Sequence, residues 1–156
     1  MRYYNPNRLL RFRIVFYALA SVLTAGFIFS NSLPSVAESS ATSGPLAALL
    51  QRYLDPNGIL SPEEFHNLTR KAAHFLEFGL LGLFVCGFTN NLGKLRLRRY
   101  VALPMLLTLL TAVFDELLQY FTQRGSSVTD VALDFVGALC GICAMAILSL
   151  LFRRRH

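Results

Sequence analysis

The sequence has no acidic residue before Glu38, none between Glu77 and Asp115, and none after Asp134. Basic residues occupy those gaps. Arg2, Arg8, Arg11 and Arg13, then Lys94, Arg96, Arg98 and Arg99, then Arg153, Arg154 and Arg155 make up eleven of the fifteen Lys and Arg. A net charge of +6 would ordinarily raise the question of nucleic acid. Here each basic cluster flanks an apolar stretch, and the tendency of basic loops to stay in the cytoplasm explains them. No nucleic-acid partner is expected. Charge is also scarce. At 15% charged and 54% hydrophobic residues, with a mean hydropathy of +0.47, the chain is not an ordinary soluble domain.

Cysteine is sparse too. Cys86, Cys140 and Cys143 all fall in apolar stretches, and none is placed for an extracellular disulfide. Cys140-x-x-Cys143 has redox spacing, but it falls mid-helix with no soluble redox fold around it. The three are expected to act as small buried hydrophobes. There is no internal repeat, no His-x-x-x-His, and no Glu-x-x-His spacing within the apolar stretches that would announce a metal site there.

What is present is four apolar stretches long enough to cross a bilayer, at 12–31, 70–89, 100–122 and 129–151. The expected fold is all-α: one domain over 1–156, a polytopic bundle of four transmembrane helices with a short amphipathic external helix. The basic clusters put both termini and the 90–99 loop inside, and the 32–69 and 123–128 loops outside. A basic start, an apolar run and the small residues Ser35 and Ala37 resemble a signal peptide cleaved after Ala37. The run from Ile14 to Ser30 is longer than a usual signal core, which favours a retained first helix.

Local signals set the boundaries. Residues 30–43 are small, polar and contain Pro34, so a loop is expected. Residues 45–54 carry apolar positions at helical spacing, as in a helix lying on the outer leaflet. Asp55-Pro56-Asn57-Gly58 reads as a turn. Ser61, Pro62 and Glu64 form a helix start. Helix three is expected from Tyr100, with Pro104 in about its first turn, and Ser127-x-x-Asp130 as a second capping box.

Ionisable groups inside such stretches are costly and face a bundle interior by default. Lys71, His74 and Glu77 lie near the outer end of helix two. Asp115, Glu116 and Gln119 lie near the outer end of helix three, with Arg124 in the loop above. Asp130 and Asp134 open helix four. At 100° per residue Asp130, Asp134, Gly137 and Gly141 form one stripe, and Gly137-x-x-x-Gly141 is the spacing of close helix packing. Five carboxylates then face Lys71, Arg124 and a titratable His74. Either some carboxylates carry protons, or a cation sits among them. Structural glue is the bland reading, since buried ion pairs can fix helix register. A metal held by His74, Asp115, Glu116 and Asp134 is the weak alternative, and no resident cofactor is expected. His66 is expected to be solvated, and Ser126 and Ser127 are poor nucleophile candidates because Ser127 serves as a cap.

The run Lys71-Ala-Ala-His74-Phe75-Leu76-Glu77-Phe78, then Asp115-Glu116-Leu-Leu-Gln119-Tyr-Phe, Arg124, and Asp130-Val-Ala-Leu-Asp134-Phe-Val-Gly137 resembles the VanZ-like family. So does Phe29-Ser30-Asn31-Ser32 after the first helix. Phe78 stands where members often have Tyr. The resemblance implies a bacterial multi-pass protein of the cell membrane, similar to accessory proteins that lower susceptibility to teicoplanin, a lipid-anchored glycopeptide. It implies no reaction. Its expected partners are membrane lipids or a lipid-linked cell-wall precursor. The competing expectation is an enzyme using His74 and Glu116 as base and acid on a lipid-linked substrate. A proton or ion pathway is disfavoured because the inner halves of the helices offer little beyond Thr108 and Thr111.

Overall fold

The computed structural model describes residues 6–34, 36–92, 97–122 and 127–153, with side chains at 8–34, 43–92, 101–122 and 127–151. It contains α1 (Pro6–Ser32), α2 (Val36–Leu54), α3 (Pro62–Asn91), α4 (Leu97–Phe121) and α5 (Val128–Arg153), and no strand among the described residues. All of these except α2 are long and apolar enough to cross a membrane. At 1.5 Å per residue α3 is about 45 Å long, exceeding the hydrocarbon core by about 15 Å. It therefore runs unbroken from a solvated start into the bundle. Its start is the expected one: Ser61 Oγ accepts the Glu64 N–H at 3.3 Å, and the Glu64 carboxylate accepts the Ser61 N–H at 2.9 Å.

Several boundaries differ from expectation. Residues 36–43, expected as a loop, belong to α2, which carries Pro45 within it. Serine and threonine cost a helix only about 0.5 kcal/mol each relative to alanine, so they do not break it. Pro34 is a breaker, and it lies before the helix. Helix α4 begins at Leu97, so Pro104 lies inside it rather than in its first turn. The second capping box does not close. Ser127 Oγ accepts the Thr129 N–H at 3.2 Å, but the Asp130 carboxylate goes to Lys71 and leaves the Ser127 N–H to Glu116.

Helix α3 is the centre and packs on all four others, most extensively on α5. That contact is built from backbone. A Cβ on Gly137 would strike the Phe75 carbonyl, and one on Gly141 would strike the Gly79 carbonyl. Across the same seam, Gly82 lies against the Ala138 backbone. The stripe of Asp130, Asp134, Gly137 and Gly141 thus faces α3, as its spacing predicts. Ile28, Phe78, Leu81, Val85, Ala112 and Ala138 form the apolar core next to it. Phe78 is fully buried there.

The outer surface is apolar. Val22, Leu23 and Phe27 of α1, Phe114 and Phe121 of α4, and Ile147 and Leu150 of α5 are exposed, whereas Asp115, Glu116, Gln119 and Asp134 are buried. A water-soluble fold reverses this order. Lipid tails solvate such a surface, and the chain is a multi-pass membrane protein. Cys140 and Cys143 lie on this exposed face rather than in the core, and only Cys86 is buried. All three are free thiols.

Candidate functional site

Four helix ends meet at one end of the bundle: the C-terminal ends of α1 and α4 and the N-terminal parts of α3 and α5. The antiparallel order brings residues distant in sequence to one depth. At the centre, His74 Nδ1 of α3 lies 3.8 Å from Asp115 Oδ2 of α4 and 3.9 Å from Asp134 Oδ2 of α5. Asp115 is 0% exposed and Asp134 2% exposed. Gln119, one turn beyond Asp115, donates to Asp115 Oδ2 at 2.8 Å and to Ser32 Oγ at 3.5 Å. Thr122 Oγ1 donates to the Ser32 carbonyl at 3.3 Å.

Three arms leave this centre. At the rim, Lys71 Nζ donates to Asp130 Oδ1 at 2.7 Å, the lysine 45% and the aspartate 21% exposed. Toward α1, Asn31 Nδ2 donates to Glu77 Oε1 at 3.1 Å. Toward the start of α5, Glu116 Oε1 accepts the Ser127 N–H. Glu77 Oε2, Asp115 Oδ1 and Glu116 Oε2 are buried and accept no hydrogen bond among the described residues. Buried acceptors are nearly always satisfied, so such orphans mark places for a water, an ion or a ligand donor.

Eight of the nine polar residues expected at the site come together: Lys71, His74, Glu77, Asp115, Glu116, Gln119, Asp130 and Asp134. Arg124 and Ser126 lie outside the described residues. His66 is half-buried near the start of α3 and does not join the group. The group that matches metal-ligand spacing is His74, Asp115 and Asp134, without Glu116. His74 and Glu116 line different cavities. A small one, about 10 Å³, is bounded by Arg70, Lys71, His74, Gln119, Asp130, Leu133 and Asp134. The other is an open groove of about 370 Å³ between α4 and α5, walled by Val113, Leu117, Tyr120, Val128 and Val131, with Glu116 and Ser127 at its polar end. Asn31, Ser32, Arg70 and the glycines of α3 were not picked out as site residues from sequence. A polar Ser-Asn-Ser run closing an apolar helix, and the Gly79-x-x-Gly82 pair, are the signals that would have found most of them.

Thr89 and Thr108, buried toward the opposite end, donate to carbonyls of their own helices, Thr89 to Cys86 and Thr108 to Pro104. They carry no polar chain onward from the cluster.

A family model described as VanZ/LLP1 matches residues 14–151, nearly the whole chain. Comparison with curated proteins and comparison with solved structures each gave no match.

Proposed function

Since the chain belongs to the VanZ/LLP1 family, we propose that it works in the bacterial cell membrane as a binding protein of the outer leaflet, with both termini in the cytoplasm. Its polar cluster takes the headgroup of a lipid or a lipid-linked cell-wall precursor, and the apolar groove beside Glu116 takes part of the chain. Holding such molecules lowers the access of a lipid-anchored glycopeptide such as teicoplanin to its membrane-bound target. One observation carries this reading: orphaned carboxylate oxygens of Asp115 and Glu116 are buried in a bundle whose surface is otherwise apolar, and Glu116 opens laterally onto a groove. Register alone does not need so many buried acids.

The test is a susceptibility panel on cells with and without the protein. A lipid-anchored glycopeptide is set beside one lacking the anchor. The reading expects selective protection against the anchored drug. Equal susceptibility to both in the two strains would remove it. The enzyme reading keeps one observation in its favour, the imidazole of His74 between two carboxylates, which suits a general base. Turnover of a lipid-linked substrate by purified protein would favour it over binding alone.

A further inference from the structure

We propose that His74, Asp115 and Asp134 bind one divalent transition-metal ion of the zinc class, through His74 Nδ1 and one oxygen of each aspartate. The three ligands come from three helices, α3, α4 and α5, and their candidate atoms lie within 4.8 Å of one another. In a tetrahedral zinc site with bonds of about 2.0–2.2 Å, ligand atoms stand about 3.4 Å apart. The 3.8 and 3.9 Å separations close to that with movements of about half an ångström.

Chemistry selects the ion. One imidazole nitrogen with two carboxylate oxygens is a borderline set, suited to Zn²⁺ and less to Mg²⁺ or Ca²⁺, which prefer oxygen alone. Charge is compatible with it. With the ion bound, two carboxylate ligands and a neutral imidazole sum to −2, and a divalent ion makes the ligand set neutral inside the bundle. Lys71 is engaged elsewhere, its ammonium 2.7 Å from Asp130.

Two observations independent of the ligand spacing point to a missing partner. Asp115 is fully buried and its carboxylate is short of donors: Gln119 is the donor seen on Oδ2, the oxygen 3.8 Å from His74 Nδ1, and Oδ1 accepts no hydrogen bond among the described residues. The cavity of about 10 Å³ beside His74 and Asp134 is about the size of one water. Three protein ligands leave a fourth position for such a water, or for an anionic oxygen drawn by Arg70 and Lys71 at the cavity wall. The outer shell is present as well: Gln119 holds the Asp115 carboxylate through Oδ2, which fixes its orientation.

The assignment rests on the same reading of the cluster as a ligand site, but it is measured differently. Metal content is read on purified protein and resistance on cells, so either can fail alone. The full chain is purified in mild detergent, stripped with a chelator and titrated with ZnCl₂. One Zn²⁺ per chain is expected, with a rise in melting temperature because the ion ties three helices together. Asp134→Asn and His74→Gln are expected to weaken Zn²⁺ binding at least about 100-fold, and Gln119→Leu about 10–100-fold. Gly26→Ala, where a methyl meets nothing within 4 Å, is expected to change it less than about threefold. Failure of folded wild-type protein to take up stoichiometric Zn²⁺, equal affinity in both ligand variants, or tenfold preference for Mg²⁺ or Ca²⁺ would overturn the proposal. If Asp134→Asn fails to fold, His74→Gln and the wild-type stoichiometry decide it.

Discussion

Asp115 lies where three polar residues from three helices converge, and its neighbours divide into donors that hold it and groups that compete with it. Gln119 is the donor seen on its Oδ2. Gln119→Leu leaves that oxygen buried without it, so thermal unfolding in detergent should show a loss on the order of 1–3 kcal/mol. Lys71 is different. Its pair with Asp130 is at the rim and nearly half exposed on the lysine side. Lys71→Met should cost less than about 1 kcal/mol, with normal accumulation in the membrane. If the cluster is a site, activity should nonetheless fall, and Asp130→Asn in the same background should restore part of it. Abundance and activity falling together would indicate glue alone. Depth and helical angle were enough to group Lys71, His74, Glu77, Asp115, Glu116, Gln119, Asp130 and Asp134 from sequence, because both follow from rise and rotation per residue. The choice of partner was not legible. Asp130 is spaced to cap Ser127, yet an ammonium from another helix outcompetes a local N–H, and nothing in the spacing reports that competitor. Asn31 was missed as a site residue for the same reason: its partner Glu77 is 46 residues away.

Helix α3 against α5 is the seam on which the cluster depends. Gly141→Ala would put a methyl onto the Gly79 carbonyl, backbone against backbone, and Gly137→Leu would do worse against Phe75. Either should cost at least about 2 kcal/mol and reduce folded protein in mild detergent. Gly26→Ala in α1 meets nothing within 4 Å. It should be neutral or stabilising by up to about 1 kcal/mol, which separates packing from a general intolerance of glycine replacement. The Gly137–Gly141 side of the seam was visible in sequence as small-residue spacing. The α3 side was harder to read, because Gly79 in an apolar run also looks like a breaker. The link between α2 and α3 offers a pH test. Asp55 accepts the Ile59 and Leu60 N–H groups at 2.9 Å each, and Gly58 adopts φ 64°. The Leu60 N–H, then the Ile59 N–H, hold the Asp55 carboxyl below its ordinary 3.8. A depressed carboxylate stabilises the folded form above its unfolded value and loses that effect as pH falls through the folded one. Protection of the Ile59 and Leu60 amides against exchange, taken relative to their intrinsic rates, should therefore hold above about pH 4 and fall below it. Asp55→Asn should lack that protection at every pH.

Taken as a whole, the molecule inverts the soluble order, with Asp115, Glu116 and Asp134 inside and leucines outside, and its basic clusters lie in sequence at or beside the ends of α1, α4 and α5. That order was legible from composition alone, since four long apolar stretches admit few other folds. The length of α2 was not, because polar small residues sit equally well in a loop or an interfacial helix. The proposed orientation predicts that a cysteine at Asn57, in a background with Cys86, Cys140 and Cys143 changed to alanine, reacts with an impermeant thiol reagent in intact cells. A cysteine at Leu92 should stay unlabelled, and the reverse pattern would invert the topology. Helix α1 contributes Ile28 to the core and Asn31 and Ser32 to the cluster, so its loss would open both. The central claim is that the buried polar cluster performs the function rather than only holding the helices. The most direct measurement is teicoplanin and envelope-inhibitor susceptibility in cells carrying His74→Gln or Glu116→Gln, with membrane abundance quantified in the same cultures. The account predicts that each substitution abolishes protection while the protein accumulates at wild-type level. Full protection by both variants at normal abundance would contradict it.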